Sequence, residues 1–454
     1  MLDIRCSAWL RQRFWVAIAL SAGVVIAAGP AEADPADEIG LTPRAAARAG
    51  AQAAAADDFS AAYYNPARLS GQPAAFSLGY AGGEPRAFVD RTSPGRLGSA
   101  VFPAEFDGTT VGLVAPLGGL LKRRVTFGLA AYFPRAAESE IRLYDQSRPQ
   151  WVRWDEDAGR LVLAPALAVR VWRGLSLGLG GDILSRFIGD AELTVEQSFQ
   201  DQSQNTVDGR NYSNDLHVTF SPIFGAAWVS GPLELGAYYH HTMELPFHLP
   251  IVAWVPSVSK TDPLAIDAQG VADYSPPRFG LGGSYDFGWH RLKLDGEFDY
   301  QLWHLAPPQQ YDVTVRSPGL MAEILGKSIS GTDINPGFRD TWVARLAAEL
   351  PVGERGRVIL GGRYRPTPLT AQSGETNYLD NDTLAVSLGG GYRFDDPLRI
   401  AAGGVRLEAA LTGAWLFWQD AHKADATEAS YRYGGWEWNA IVSLTWVLDA
   451  PAKA

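Results

Sequence analysis

Three histidines, His240, His241 and His248, invite a metal-binding reading of the chain. Their segment alternates like a strand, so His240 and His241 point to opposite faces. Positions 240 and 248 would lie roughly 27 Å apart along it. They cannot share an ion, and no metal centre is expected. A serine hydrolase would need Ser and His side by side on one face, and no convincing pair occurs. The charged residues are more informative. Lys293, Asp295, Glu297, Arg345, Glu349, Arg363, Arg393 and Glu408 each fall on the polar face of an alternating segment. Such residues fit a hydrated, salt-bridged wall better than general acid/base machinery. Arg345, Arg363, Arg365 and Arg393 could also hold the carboxylate of a ligand, because the planar guanidinium binds both oxygens. Neither catalysis nor a cofactor is expected.

The elements that position these residues are strands. Fourteen segments show period-2 alternation: 74–81, 109–116, 124–134, 160–172, 175–197, 216–229, 233–249, 277–287, 291–303, 341–352, 357–366, 383–394, 405–418 and 435–448. The connections between them are alternately long and short. Arg173-Gly174 and Ser230-Gly231-Pro232 are among the short ones. A soluble sandwich has no reason to keep that parity. A bacterial transmembrane barrel does, with short periplasmic turns, long outer loops and an even strand count. Trp172, Trp228, Trp289 and Trp446 fall near the short turns, and Trp342, Trp418 and Trp436 near the long loops, as two interfacial girdles would. A soluble core could not bury so many charges, whereas a wet lumen accommodates them. The fold class expected is all-β, a 14-stranded antiparallel transmembrane barrel spanning residues 74–448. A net charge of -11 argues against nucleic acid as a partner.

The N-terminus reads differently. Arg5, Arg11 and Arg13 precede an apolar stretch, Phe14 to Ala28, and Ala31-Glu32-Ala33 fits a cleavage site. Residues 1–33 are thus expected to be a secretory signal peptide, which would carry away Cys6, the one cysteine. Residues 34–73 lack alternation, are rich in alanine and are too few to build a core of their own. They should lie against the barrel lumen as a hatch. Within them Asn65-Pro66-Ala67 should form a turn near the lumenal pocket, its amide pinning the hatch to the wall.

Two stretches carry a family resemblance. ARAGAQAAAADDFSAAYYNPARLSG, residues 47–71, resembles the N-terminal hatch of the FadL/TodX family of outer-membrane hydrophobic-compound channels. NPGFRDTWVARLAAELPVGERGRVILGGRYRPTPL, with LDNDTLAVSLGGGYRF, resembles that family's late strands. The resemblance implies a fourteen-stranded barrel in the bacterial outer membrane and passive uptake of long-chain fatty acids or hydrocarbons. The ligand would be captured outside, held in the lumen and released sideways near the third strand. Outer-membrane lipid and the barrel-assembly machinery would be its other partners, and the chain is read as a monomer. Two features depart from the family pattern: a tail, residues 449–454, follows the last strand, and loops 135–159 and 198–215 match nothing recognisable.

Two further sites are expected. Antiparallel pairing of 124–134 with 160–172 by their ends sets Pro165 opposite Ala131, beside Gly128 and Ala130, with Pro134 ending the third strand. Proline cannot donate to the ladder, so a gap or bulge is expected there. Ile251, Val252, Trp254 and Val255 form an apolar run in what should be a polar outer loop, 250–276, and suggest an external capture groove. Residues 318–326, in the longest loop, have helical spacing and would cap the mouth or add to that groove. The alternatives to a hydrophobic-compound channel are a non-transporting barrel, such as an enzyme or adhesin, or a general porin. A general porin has no reason to carry forty alanine-rich residues ahead of its first strand.

Overall fold

A computed structural model of the chain describes residues 35–91, 106–118, 124–135, 150–151, 161–188, 191–196, 206–211, 215–254, 264–288, 291–306, 312–316, 328–330, 337–370, 378–421 and 431–449. The expected signal peptide, Val255, residues 318–326 and most of the tail lie outside them.

Fourteen antiparallel strands close into a barrel. In chain order they are β1 (Ala75–Arg91), β2 (Phe106–Pro116), β3 (Val125–Pro134), β4 (Val162–Trp172), β5 (Leu175–Ile188), β6 (Asp215–Ser230) and β7 (Leu233–His240). The second half comprises β8 (Arg278–Asp286), β9 (Lys293–Gln301), β10 (Thr341–Val352), β11 (Gly356–Arg365), β12 (Thr383–Phe394), β13 (Val405–Ala421) and β14 (Tyr431–Val447). β1 pairs with β14 from Ala75–Val447 to Arg91–Tyr431, so no edge is left open. Closure matters because a spanning strand has no water with which to satisfy its backbone.

Alternation decides what faces where. Along β9, Asp295, Glu297, Asp299 and Gln301 are buried, while Leu294, Phe298 and Tyr300 are exposed. Along β13, Leu407, Leu411 and Trp415 are exposed and Glu408 and Thr412 buried. A protein with apolar residues outside and charged ones inside is an inverted soluble protein, and only lipid makes that arrangement favourable. Trp172, Trp228, Trp418 and Trp436 are all exposed on this outer face.

Three expected boundaries are corrected. The first strand, expected at 74–81, runs on to Arg91. The seventh strand stops at His240, and Met243–Trp254 belongs to a separate six-stranded sheet with Leu264–Ser275. The run expected as an outer loop at 250–276 is therefore largely strand: Ile251, Val252 and Ala253 pair with Ile266, Ala265 and Leu264. The fifth strand likewise ends at Ile188, and Ala191–Glu196 pairs with Met243–Trp254 in the second sheet.

Ahead of β1 lie three short helices, α1 (Pro35–Glu38), α2 (Pro43–Ala47) and α3 (Ala61–Tyr64), and a 3-10 turn, Pro66–Leu69. Thr42 caps α2 by accepting from the Ala45 amide, with Pro43 at its first position. This segment touches the wall on all sides. Phe59 sits against Gly112 of β2, Ala67 against Gly178 of β5, Ala53 against Gly236 of β7 and Ala47 against Gly361 of β11. A single segment can reach strands all round a closed barrel only from inside it.

Candidate functional site

The wall glycines set how deep the N-terminal segment can sit. A Cβ on Gly236 would lie 1.8 Å from the Ala53 carbonyl oxygen, so only glycine permits this approach. Backbone-to-wall contact on this scale needs polar pins, and three sets supply them.

The middle pin is Asn65 with Glu297. The Asn65 side chain is fully buried and its Nδ2 donates to the carbonyls of Ala53 (2.6 Å) and Ala226 (3.1 Å). Its Oδ1 accepts from the Ala67 amide at 3.2 Å. Asn65 is extended (φ -152°, ψ 96°), and Pro66 opens the 3-10 turn that follows. The expected turn and amide pin at Asn65-Pro66-Ala67 are thus present, with Ala226 of β6 as the wall partner. Glu297 accepts from the amides of Gln52 and Ala53, both at 2.6 Å. Its other oxygen takes Tyr238 Oη at 3.0 Å and Arg345 Nη1 at 3.2 Å.

The lower pin, at the short-turn end, is ionic. Arg48 contacts Asp57 (3.1 Å), Asp295 (3.3 Å) and Glu349 (2.6 Å), and Arg44 Nε contacts Glu408 at 2.7 Å. Burial raises the Asp57 carboxyl, but Arg44 and Arg48 outweigh it and hold the group well below the usual range.

The upper pin, at the long-loop end, joins α1 to arginines. Asp37 pairs with Arg278, and Glu38 with Arg363 (2.9 Å) and Arg365. Burial pushes the Glu38 carboxyl up, yet Arg365 and Arg363 prevail and hold it at about 2. A depressed carboxylate is stabilising above its unfolded value of 4.5 and loses that contribution as pH falls through about 2. This contact therefore persists in mildly acid media.

Between the upper pin and the wall lies a cavity of about 90 Å³. Arg278, Arg345, Arg363, Arg365, His240 and Trp303 line it with α1 and Tyr63. Three of the four expected head-group arginines, Arg345, Arg363 and Arg365, are brought together here. Among the described residues, Arg365 Nε and Nη2 are buried without a hydrogen-bond partner. Arg345 is committed to Asp299 and Glu297. Arg393 is a correction: it faces inward but lies at the short-turn end, in another cavity. Alternation tells the face of a residue, not its height in the barrel. His240 is buried, 3.0 Å from Arg278 and 3.3 Å from the Tyr64 carbonyl, and belongs to this lining.

The expected flaw in the wall is also relocated. β3 and β4 pair without a shift from Val125–Val169 to Tyr132–Val162, which puts Pro165 opposite Leu129 rather than Ala131. No bulge opens beside Gly128, Ala130 and Ala131, and Pro134 simply ends β3 opposite Gly108 of β2. The break is on the other side of Pro165. The β4–β5 ladder stops at Ala166–Gly180, although β4 continues to Val162 and β5 to Ile188. Gly181, the next residue of β5, has Pro222 as its partner on β6. Pro165 and Pro222 thus flank it on both sides, and neither has an N–H to give. Helix α3 packs behind the split, with the Ala62 carbonyl against Gly180. Asp182, one step further along β5, lines the cavity. Sequence reasoning reached the right proline and the wrong neighbour, because it assumed strand ends that differ by two residues.

Comparison with known proteins agrees with this geometry. No family model matches the chain. Alkane uptake protein A of Marinobacter nauticus is 24% identical over 373 residues, covering 78% of this chain and 77% of that one. A FadL homologue of Pseudomonas aeruginosa superposes with a TM-score of 0.56 at 16% identity, covering 90% of this chain and 98% of that one. The toluene transporter TodX of Pseudomonas putida gives the same values. TbuX of Ralstonia pickettii, also a toluene transporter, gives 0.52 at 15% identity, with 90% and 98% covered. The architecture is the fourteen-stranded antiparallel barrel that these solved structures share. By fold the chain belongs with the FadL/TodX barrels.

Asn65→Ala removes the amide that satisfies the carbonyls of Ala53 and Ala226. Leaving buried acceptors open costs about 1–3 kcal/mol each. The expected result is a barrel that keeps its heat-modifiable gel mobility but transports less. Normal uptake would reduce the motif to a turn, and an unfolded barrel would show that the wall needs its hatch.

Proposed function

We propose that this protein is a passive outer-membrane channel for hydrophobic compounds, with residues 35–73 as its hatch. One observation carries the reading. The lumen is filled by a segment with little core of its own, and the cavity above it reaches a break in the wall. Binding needs no energy source, because each buried methylene contributes about 0.8 kcal/mol. The alkane uptake relative and the toluene transporters of the same fold support a hydrophobic substrate.

A cavity of about 90 Å³ is well short of the roughly 300–1,000 Å³ of ordinary ligand pockets and too small for a long chain. The ligand must therefore displace α1, whose Asp37 and Glu38 occupy the arginines. A ligand carboxylate is suited to take the place of Glu38 at Arg363 and Arg365, and the orphaned Arg365 donors offer it further bonds. Release is lateral, through the β4–β5 break at Pro165, once α3 moves aside. The short turns face the periplasm. The barrel is a monomer inserted by the barrel-assembly machinery. Ile251, Val252, Trp254 and Val255 remain the proposed outer capture surface.

The test is uptake of labelled oleate and hexadecane by cells whose other hydrophobic-compound channels are deleted. Expression of this chain is expected to restore uptake, and a folded barrel that restores neither would overturn the reading. Arg365→Gln should lower oleate uptake roughly tenfold or more, since a charged hydrogen bond contributes about 1.5–3 kcal/mol. Hexadecane uptake should stay within about twofold, because it has no head group to lose. Equal loss of both would remove the carboxylate role.

A further inference from the structure

A second cavity, of about 510 Å³, opens at the short-turn end below the Arg44–Arg48 pin. Its wall sets two like charges face to face. Arg393 of β12 and Arg406 of β13 are direct cross-strand partners, and both point into this space. Like charges directly opposite each other in a sheet are destabilising. Nature usually relieves such a pair with an acid between them, and here two of the acids lining the cavity, Glu408 and Glu349, are engaged elsewhere. Glu408, on the same face of β13, is engaged by Arg44 at 2.7 Å. Glu349 is engaged by Arg48 at 2.6 Å and Arg357 at 3.0 Å. Among the described residues, neither Arg393 nor Arg406 has an ion-pair partner. Arg406 Nε is in addition buried without any hydrogen-bond partner.

We propose that Arg393 and Arg406 form an oxyanion site at the short-turn mouth, which takes a carboxylate or a phosphate group. Two facing guanidinium forks can each give parallel N–H bonds to such a group. The bound anion offsets the repulsion within the pair and satisfies the orphaned Nε. The ionic pin between the hatch and the wall lies above the site, so the anion arrives from the periplasmic side. Two sources share this chemistry: free phosphate and the head group of an amphiphile. The site does not depend on the nature of the transported compound, because binding is read without transport.

The experiment uses the full-length mature protein purified in a non-ionic detergent. Inorganic phosphate binding is followed by phosphorus NMR line broadening, and octanoate binding by equilibrium dialysis. The wild-type protein is expected to bind one phosphate per chain, and Arg406→Gln and Arg393→Gln to weaken it roughly tenfold each. Arg393→Lys should retain part of the affinity, since it keeps the charge but loses the fork. Octanoate displaced by phosphate supports a shared site open to both sources. Octanoate binding that Arg406→Gln weakens, with no phosphate binding, assigns it to amphiphile head groups, and binding of phosphate alone to the free ion. Removing either arginine relieves repulsion, so the variants should keep their heat-modifiable mobility. No binding to the wild-type protein, or equal binding to all variants, would overturn the proposal whatever the uptake assays give.

Discussion

Replacing Arg48 with alanine is expected to turn a closed lumen into an ion-conducting one while the wall stays folded. Arg48 is 1% exposed and answers three carboxylates, those of Asp57, Asp295 and Glu349. Removing one partner from a buried ionic cluster costs about 3–5 kcal/mol, because the remaining charges are left unmatched. That energy falls on the docking of the hatch. The wall strands satisfy their backbones among themselves and do not draw on it. A cost of this size shifts the ratio of docked to undocked hatch by roughly 100-fold or more. Planar-bilayer recordings should show long-lived open events that the wild-type protein lacks, with gel mobility still heat-modifiable. Arg48→Lys should fall between the two, since one ammonium cannot reach all three acids in fork geometry. A folded Arg48→Ala barrel that stays closed would mean that the glycine-lined fit alone holds the hatch.

Much of this was legible before any coordinates. Loop parity located the fourteen strands of the wall, most to within a few residues, because short turns and long loops obey a rule set by the membrane. The N-terminal segment was legible as one with too little core to stand alone, and an amide contact from Asn65 to the wall followed from the hydrogen-bonding capacity of an amide before a proline. What escaped sequence reading depends on height and register. Asp37 and Glu38 look like ordinary acids near a terminus, yet they meet Arg278, Arg363 and Arg365 from two different strands. Glu297 alternates like its neighbours, and nothing in its pattern announces that it accepts two hatch amides. The wall glycines carried a usable signal. Gly178, Gly225, Gly236 and Gly361 share the inward face of their strands, and glycine on a lumenal face marks backbone coming close.

Locking the β4–β5 break shut is expected to stop release without touching the ligand cavity. Continuing the ladder beyond Ala166–Gly180 in register would pair Leu163 with Ile183, and both point outward to lipid. The only cysteine of the full chain is Cys6, within the expected signal peptide, so Leu163→Cys with Ile183→Cys would be the only thiols of the mature protein. A short bismaleimide should join them across the split and fix the strands together. Uncross-linked protein should transport as the wild type does, because neither Leu163 nor Ile183 lines the cavity. Cross-linked protein should still bind oleate in detergent yet deliver it at less than roughly a tenth of the wild-type rate, a barrier increase of about 1.4 kcal/mol or more. Loss of binding together with uptake would mean that the split is part of the ligand site rather than its exit. Undiminished delivery by the cross-linked form would send the substrate down the barrel axis, past Arg44 and Arg48. The Arg48→Ala channel would then be the faster transporter of the two.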